Sequence, residues 1–402
     1  MLVNNKISFF FIGIVLLFSC NKKQYVYEQP SYQPSIDTTV TNKTNFKQET
    51  QGNNQSSLLF TFEPAFNYNS AYNEIKEMLD GKAPLNFKRA VFITENAYFD
   101  NELDYNVFNN YISSLANIAK LWSKNNQLSD YNYPDSLNMK LNGAIFKTLT
   151  DTVFDSENNV VNIPYKYDFE DCFAEKEWAN MFVTKLLVTY KGNCHSLPFL
   201  YKLIAEELNV DVWLSFTPNH IYLRNWSKKL GWYNTEMTNA MFPSEAWVMT
   251  SGYVSVNSIV SGIYMDTLGL KQSVVICLND LAKGYLRKVK TPDLKFVLKC
   301  CDLGLQHFPN YAELLLLKAE THKKMYQNYV AAYGLNVQNS THPHSEKVKY
   351  HISEMNTSYA LLAKYDYREI PQEMFLEWIK SLENNKEKYQ NKKISDTFKL
   401  EN

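Results

Sequence analysis

The stretch from Gly192 to Glu236, GNCHSLPFLYKLIAEELNVDVWLSFTPNHIYLRNWSKKLGWYNTE, decides the fold of this chain. Its first half predicts an amphipathic helix of about a dozen residues, because apolar residues recur there at helical spacing: Leu197, Leu200, Tyr201, Ile204 and Leu208. Its second half predicts three strands, at 210–216, 220–224 and 232–237, because apolar and polar residues alternate. A helix followed directly by three strands predicts an α+β fold, in which a small antiparallel sheet packs against that helix.

Three residues of this stretch have the side chains that thiol catalysis requires. A cysteine nucleophile needs a base to take its proton and a third group to orient that base. Cys194 stands at the start of the predicted helix, where backbone N–H groups and the macrodipole favour a thiolate. His220 opens the second strand and Glu236 ends the third, so adjacent antiparallel strands place them side by side. The pattern predicts a Cys-His-acid triad for acyl transfer, with Asn234 on the same strand face as an alternative orienting residue.

The same stretch resembles a known family. Residues 192–201 (GNCHSLPFLY), 218–224 (PNHIYLR) and 231–236 (GWYNTE) resemble the transglutaminase-like core, a papain-like arrangement of one helix and a small antiparallel sheet. More narrowly, they look like bacterial transglutaminase-like proteins that have tetratricopeptide helices behind the core. The specific match covers residues 192 to 236, and a looser resemblance extends over 70–340.

The resemblance also implies roles for individual residues. In such cores the cysteine, the histidine and an acid four residues after a Gly-Trp tryptophan form the triad. These roles fall on Cys194, His220 and Glu236 in this chain. The usual acid is aspartate, whereas Glu236 is one methylene longer. The resemblance implies action on amide bonds of protein or peptide substrates.

The N-terminus has the features of an export signal. A short basic start, an apolar run at 7–18 and a small residue before Cys20 are typical of a secretory signal peptide over 1–19. The tetrapeptide LFSC, ending at Cys20, resembles the lipobox of bacterial lipoproteins, which implies diacylation of that cysteine. Residues 20–57 are rich in Asn, Gln, Thr and Ser without an apolar period, and they predict a disordered tether. We therefore expect a lipid-anchored protein of the cell envelope, facing the periplasm or the cell surface.

The remaining sequence predicts mostly helices. Residues 125–164 are rich in Asn, Asp and Tyr and predict loops with at most short helical pieces. The predicted helical segments are 67–125, 178–189, 254–289, 311–326 and 328–337. Pro309 and Pro343 lie 34 residues apart, each closing a helix pair, which is the tetratricopeptide period.

These patterns together predict the domain organisation. A transglutaminase-like core with its N-terminal helices covers 58–275, and a tetratricopeptide-like helical region covers 276–390. The last residues, 391–402, predict a charged, frayed tail.

Composition and motifs exclude several classes of function. The 402 residues include 45% hydrophobic and 15% aromatic residues, enough for a well-filled core. Lys plus Arg number 41 against 42 acids, so no bulk charge attracts nucleic acid. Six cysteines, one of them used for lipid, are not a disulfide framework. No phosphate-binding loop or dinucleotide motif occurs, and no cofactor is predicted.

A metal site is the competing chemical interpretation. Cys172, Cys194, His195 and His220 could surround zinc, but their spacing is irregular and no C-x-x-C or H-x-x-x-H pair occurs. We therefore predict no metal. His195 is a neighbour of the nucleophile, and its position on a helix turns it away from the thiol.

Two functions remain open from the sequence. The first is a thiol enzyme that hydrolyses amides, favoured over cross-linking because water is abundant and nothing marks a second amine site. The second is a non-catalytic scaffold that holds a protein or peptide partner in its helical repeats. An open channel beside Cys194 would favour the enzyme, and a thiol sealed by aromatics such as Trp213 or Trp232 would favour the scaffold.

Overall fold

The computed structural model describes residues 64–155, 157–333, 344–384 and 386–398. The predicted signal peptide, the predicted lipidation site at Cys20 and the predicted tether lie outside these residues. The described chain is α+β, as the sequence predicts: it is rich in helices and has three small sheets. Among the helices of these ranges, none has both the length and the apolar character needed to cross a membrane.

The element bounds follow the chain order. The first helices are α1 (Pro64–Leu79), α2 (Phe87–Tyr98), α3 (Tyr105–Asn125), α4 (Ser136–Thr150), α5 (Val183–Thr189), α6 (Ser196–Glu207), α7 (Glu245–Ser251) and α8 (Val256–Val260). The later helices are α9 (Leu270–Lys288), α10 (Leu294–His307), α11 (Ala312–Tyr333), α12 (Ser345–Lys364), α13 (Gln372–Asn384), α14 (Lys386–Tyr389) and α15 (Lys392–Thr397). The strands are β1 (Val153–Phe154), β2 (Val160–Asn162), β3 (Lys166–Tyr167), β4 (Lys191–Gly192), β5 (Trp213–Thr217), β6 (His220–Ser227) and β7 (Gly231–Thr235). A 3-10 helix covers Trp178–Met181.

The central sheet confirms the predicted run of one helix and three strands. β5, β6 and β7 are antiparallel neighbours in that order, and α6 packs on β5 and β6. The register pairs Thr217 with His220 and Leu223 with Thr235. Asn219 has a φ of 57°, so the two residues between β5 and β6 turn tightly with an asparagine in the left-handed region. His220 therefore stands at the turn end of the sheet.

The loop predicted for 125–164 contains α4, so that prediction is wrong in its middle. Asn, Ser and Gly lower the helix propensity of this segment. Burial outweighs propensity, because one side of the helix packs in the core. Its largest buried apolar residues are Met139, Ile145, Phe146 and Leu149.

Two further helix predictions need correction. The helix predicted over 254–289 is broken after α8, because the backbone that follows binds the free edge of β5: the N–H of Met265 donates to Phe216 O at 2.8 Å and that of Leu268 to Leu214 O at 2.9 Å. The two helices predicted between 311 and 337 are one helix, α11, as far as the described residues extend.

The C-terminal helices pack in sequence order, each against the next. α9 packs against α10, α10 against α11, and α11 against α12. Pro343, the second mark of the tetratricopeptide spacing, lies outside the described residues.

The charged tail predicted for 391–402 is not frayed over its described part. Residues 392–397 form α15, and the ring of Phe398 is buried 5.2 Å from that of Phe242. A Cβ on Gly143 would come within 2.5 Å of the Phe398 ring. The close approach of α4 to Phe398 therefore depends on a glycine at position 143.

A buried histidine pair between α11 and α12 makes stability depend on pH. His322 Nδ1 lies 2.9 Å from His351 Nδ1, and both side chains are buried. Burial and the neighbouring ring lower the pKa of His322 to about 4, and burial lowers the pKa of His351. A histidine whose pKa is depressed by folding withholds a proton that the unfolded chain binds. We therefore expect the free energy of unfolding to fall as the pH drops from about 6.5 to about 4, by up to roughly 3 kcal/mol for His322.

Urea unfolding at a series of pH values measures this effect. His322→Gln keeps a polar side chain without a titrating group, so its unfolding curves should lose less stability over that pH range than those of the wild type. Identical pH slopes for the two proteins would contradict the expectation.

Candidate active site

Hydrogen bonds between Asn193 and Ser196 hold the backbone of Cys194 at the N-terminal end of α6. Asn193 Oδ1 accepts the N–H groups of His195, at 3.0 Å, and Ser196, at 3.2 Å. Ser196 Oγ in turn accepts the Asn193 N–H at 3.0 Å, which completes a reciprocal cap. The cap fixes the backbone of Cys194 where the helix dipole favours negative charge. The Cys194 side chain is only half-buried, unlike the other described cysteines.

The strand ends bring His220 and Glu236 together. His220 Nε2 lies 2.6 Å from Glu236 Oε2, and both side chains are buried. The other carboxylate oxygen accepts the Thr238 N–H at 2.9 Å. A ring nitrogen beside a carboxylate carries the proton, so Nε2 donates and Nδ1 faces the other way.

The length of the glutamate side chain suits this geometry. Continued past Thr235, the β6–β7 register sets Glu236 opposite Tyr222, two residues from His220. The contact is therefore a diagonal one, and diagonal neighbours lie about 7–8 Å apart at Cα. The additional methylene of glutamate over aspartate helps the carboxylate to cover that distance.

Cys194 and His220 line one cleft, with a volume of about 240 Å³. Cys194 Sγ lies 3.9 Å from the carbonyl oxygen of Asn219, the residue before the histidine. His220 Nδ1 is buried and has no hydrogen-bond partner among the described residues. It can therefore accept or return the proton of a nearby thiol.

The charges of the three groups support one another. Burial disfavours a charged His220, but Glu236 and the Cys194 sulfur outweigh it and raise the pKa of His220 to about 10. Burial also opposes ionisation of Glu236, yet His220 and Thr238 stabilise the carboxylate and lower its pKa. At neutral pH the histidine is thus an imidazolium beside a carboxylate, with the sulfur as its third neighbour.

Asn234, the predicted alternative orienting residue, does not contact His220. Its position in the register is opposite Arg224, further along the sheet, and its Nδ2 donates to Pro243 O at 3.2 Å. The orienting contact comes from Glu236 instead, because only that residue lies within diagonal reach of the ring.

The His195 ring contacts the 3-10 helix and α9. Its Nδ1 lies 3.0 Å from Met181 O, and its Nε2 lies 3.0 Å from Asp280 Oδ2. Asp280 comes from α9, which the sequence does not link to the site.

The four residues of the metal hypothesis all line the cleft. Even so, no group of three or more His, Cys, Asp or Glu side chains is placed to hold a metal ion in the described ranges. Burial and the charge of Cys194 raise the pKa of Cys172 to about 11, so this second sulfur keeps its proton.

Helix α13 covers the imidazole, a contact that the sequence did not indicate. The His220 ring lies 4.8 Å from the Trp378 ring, at 90°, and 6.1 Å from the Phe375 ring. Asn219 Nδ2 donates to Ile370 O at 3.0 Å, which ties the β5–β6 turn to the segment before this helix. The apolar face of α13 is visible in the sequence, but its target is not.

The tryptophans expected as a possible seal lie elsewhere. Trp213 and Trp232 contact each other, at 5.2 Å between ring centroids, at the end of the sheet away from the Thr217–His220 turn. They are separated from that turn by four residues of β5, about 13 Å. Cys194 is therefore not sealed by this pair.

A half-buried thiol, an imidazole and a carboxylate in a cleft can perform nucleophilic chemistry on a carbonyl carbon. The cap leaves the Cys194 N–H at the open end of α6, where it can stabilise negative charge on a carbonyl oxygen. Comparison of the chain with models of known protein families finds no match, and neither does a search of curated proteins. The assignment of function therefore depends on this geometry.

Proposed function

We propose that this chain is a thiol enzyme of the transglutaminase-like superfamily, held to a membrane of the cell envelope by lipid on Cys20, that hydrolyses amide bonds of protein or peptide substrates. One observation carries the proposal. His220 bonds Glu236 through Nε2 at 2.6 Å while its unpartnered Nδ1 shares a cleft with Cys194. An imidazole held on one side and free on the other is what activation of a thiol requires.

The proposed reaction has two steps. The Cys194 thiolate attacks the amide carbonyl carbon, and the His220 imidazolium gives its proton to the leaving amine, which leaves a thioester on Cys194. His220 then takes a proton from water and the hydroxide attacks the thioester. The thiolate leaves with the imidazolium restored, and the carboxylic acid product loses its proton to the solvent. Glu236 stays ionised and holds the ring. The Cys194 N–H supplies part of the oxyanion hole.

The pH dependence of Cys194 alkylation tests the proposal. His220 keeps its proton to about pH 10 and lines the same cleft as Cys194, so we expect its charge to speed alkylation and the rate with iodoacetamide to fall less than that of an ordinary thiol between about pH 8 and about pH 6. An ordinary thiol, with a pKa of about 8.5, loses about tenfold in rate per pH unit over this range. At about pH 6 the expected advantage over an ordinary thiol is about 30-fold.

Cys194→Ala is the control that assigns the signal. The other described cysteines are buried, so this variant should remove the fast phase. A rate that falls tenfold per pH unit in the wild type would contradict the proposal.

The second candidate is a non-catalytic scaffold. The observation in its favour is the cover over His220, because Phe375 is fully buried against the ring and restricts access from that side. In this case the core would be a folded relic and the C-terminal helices would bind a protein or peptide partner. If Cys194 is alkylated at the rate of an ordinary thiol, the scaffold becomes the favoured function.

A further inference from the structure

A second group of charged side chains lies in the same cleft as Cys194 and His220. Asp280 and Lys283 come from α9 and Glu313 from the first turn of α11, and all three line the cleft. The proposed acyl-transfer steps use none of them. Charged groups in a partly enclosed cleft cost free energy to desolvate, so each of them needs a compensating charge from the protein or from a ligand.

The balance of these charges favours a cation. Lys283 Nζ lies 2.6 Å from Glu313 Oε2, so this pair is neutral as a unit. The attraction of Lys283 lowers the pKa of Glu313, which keeps its carboxylate ionised. Asp280 adds a second carboxylate, whose only ionic partner within the described residues is the His195 ring at 3.0 Å. A substrate carboxylate would be repelled, because it has the same charge as Asp280 and Glu313.

Two buried polar atoms in the cleft lack partners. Asn279 Oδ1 and Thr217 Oγ1 form no hydrogen bond with any described residue, although their side chains are 96–97% buried. An amide oxygen only accepts, and a hydroxyl can accept as well. A ligand that brings N–H donors would satisfy both atoms and remove the cost of leaving them unpaired.

Aromatic rings form the third part of this surface. Tyr311 is stacked between Phe216, at 5.3 Å and 5°, and Phe308, at 5.1 Å and 9°. All three residues line the cleft. The two phenylalanines cover the faces of Tyr311, so the stack serves as an apolar wall for the methylene groups of a long side chain.

We infer that this part of the cleft binds a basic side chain of the peptide substrate, best an arginine, with its cation near Asp280 and its methylene groups along the aromatic stack. The inference rests on the proposed function and narrows it to amide substrates that carry a basic residue close to the bond attacked. The cation acts as an anchor and takes no part in the reaction, since guanidinium is not an acyl acceptor at neutral pH.

Calorimetric titration of the full chain carrying Cys194→Ala measures binding without turnover. The probes are N-acetylated peptide amides that differ at one residue: arginine, lysine, norleucine or glutamate. We expect the arginine peptide to bind at least about tenfold more tightly than the norleucine peptide, and the glutamate peptide to bind most weakly. Equal affinity of the arginine and norleucine peptides, tighter binding of the glutamate peptide, or no binding of the arginine peptide would overturn the inference.

Charge variants in the same background locate the cation. Asp280→Asn should weaken the arginine peptide about tenfold and leave the norleucine peptide unchanged. Glu313→Gln should act in the same direction, because it leaves Lys283 uncompensated, and it carries the test if Asp280→Asn does not fold. Asp302→Asn removes an acid on α10 that pairs with Lys318 outside the cleft, and it is the matched control. A loss of affinity equal in all three variants would contradict a cation at Asp280.

Binding measurements test the inference and turnover measurements test the proposed function, so the two can fail separately. Arginine-selective binding without turnover by the wild type would contradict only the enzyme. Turnover without preference for a basic residue would contradict only the inference.

Discussion

Replacing His220 with alanine is expected to slow the alkylation of Cys194 by up to about 30-fold at about pH 6, which is the whole advantage over an ordinary thiol. The imidazolium interacts electrostatically with the Cys194 sulfur, and Glu236 holds its charge in place. Without it, the thiolate has only the α6 N-terminus for stabilisation, a contribution of about 1 kcal/mol or less. Hydrolysis of any amide substrate should fall by at least as much, because the leaving amine also loses its proton donor.

The controls for this variant separate chemistry from packing. His220→Gln removes the base but fills more of the space beside Trp378, so it should be as slow as alanine with less loss of stability. His307→Ala removes a histidine from α10, outside the cleft, and should leave the rate at the wild-type value. If His220→Ala reacts as fast as the wild type, the imidazole does not activate the thiol.

Glu236→Ala is expected to lower the free energy of unfolding by about 3–5 kcal/mol at neutral pH, because removal of one partner leaves the other buried without compensation. His220 is 3% exposed, so water cannot replace the carboxylate. The pKa of the histidine should fall from its raised value, and the thiol should lose its activated state together with the stability. Guanidinium unfolding monitored by circular dichroism gives the first effect, and alkylation gives the second.

The stability difference between the wild type and Glu236→Gln should depend on pH in a defined way. The raised pKa of His220 contributes stability that is complete below about pH 6.5 and is lost as the pH rises towards about 10. The lowered pKa of Glu236 contributes stability that is present above about pH 4.5 and is lost as the pH falls through its folded value. The difference between wild type and Glu236→Gln should therefore be largest between about pH 4.5 and about pH 6.5 and should shrink towards about pH 10. A difference that does not vary with pH would mean that the pair is not ionic.

The sequence carried most of the information about the central sheet, because alternation and turn residues act locally. The β5–β6 turn follows from Pro218 and Asn219, and its position alone places His220 at a strand start. Elements stabilised by distant contacts were less predictable. Helix α4 depends on burial of a few apolar side chains rather than on propensity, and the break before α9 depends on hydrogen bonds to an edge strand. Neither cause is visible within a short window of sequence.

The candidate site also has one part that the sequence predicted and another that it did not. Cys194, His220 and Glu236 come from one short stretch, so their order and spacing were enough to predict that they lie close together. Asp280 and Glu313 reach the cleft only through the packing of α9 and α11. Asp280 is an acid on a mostly buried helix face, which is a usable signal, but its partner could not be identified without coordinates.

Because α13 covers His220, the candidate site is complete only when the C-terminal part of the chain has been synthesised. Asn219 and its partner Ile370 are 151 residues apart in the chain, and the rings that close on the imidazole follow Ile370. A nascent chain that has emerged only as far as α12 has the cysteine, the histidine and the glutamate but not their lid. The candidate site therefore reaches its final enclosure only after all the residues of the core have been synthesised.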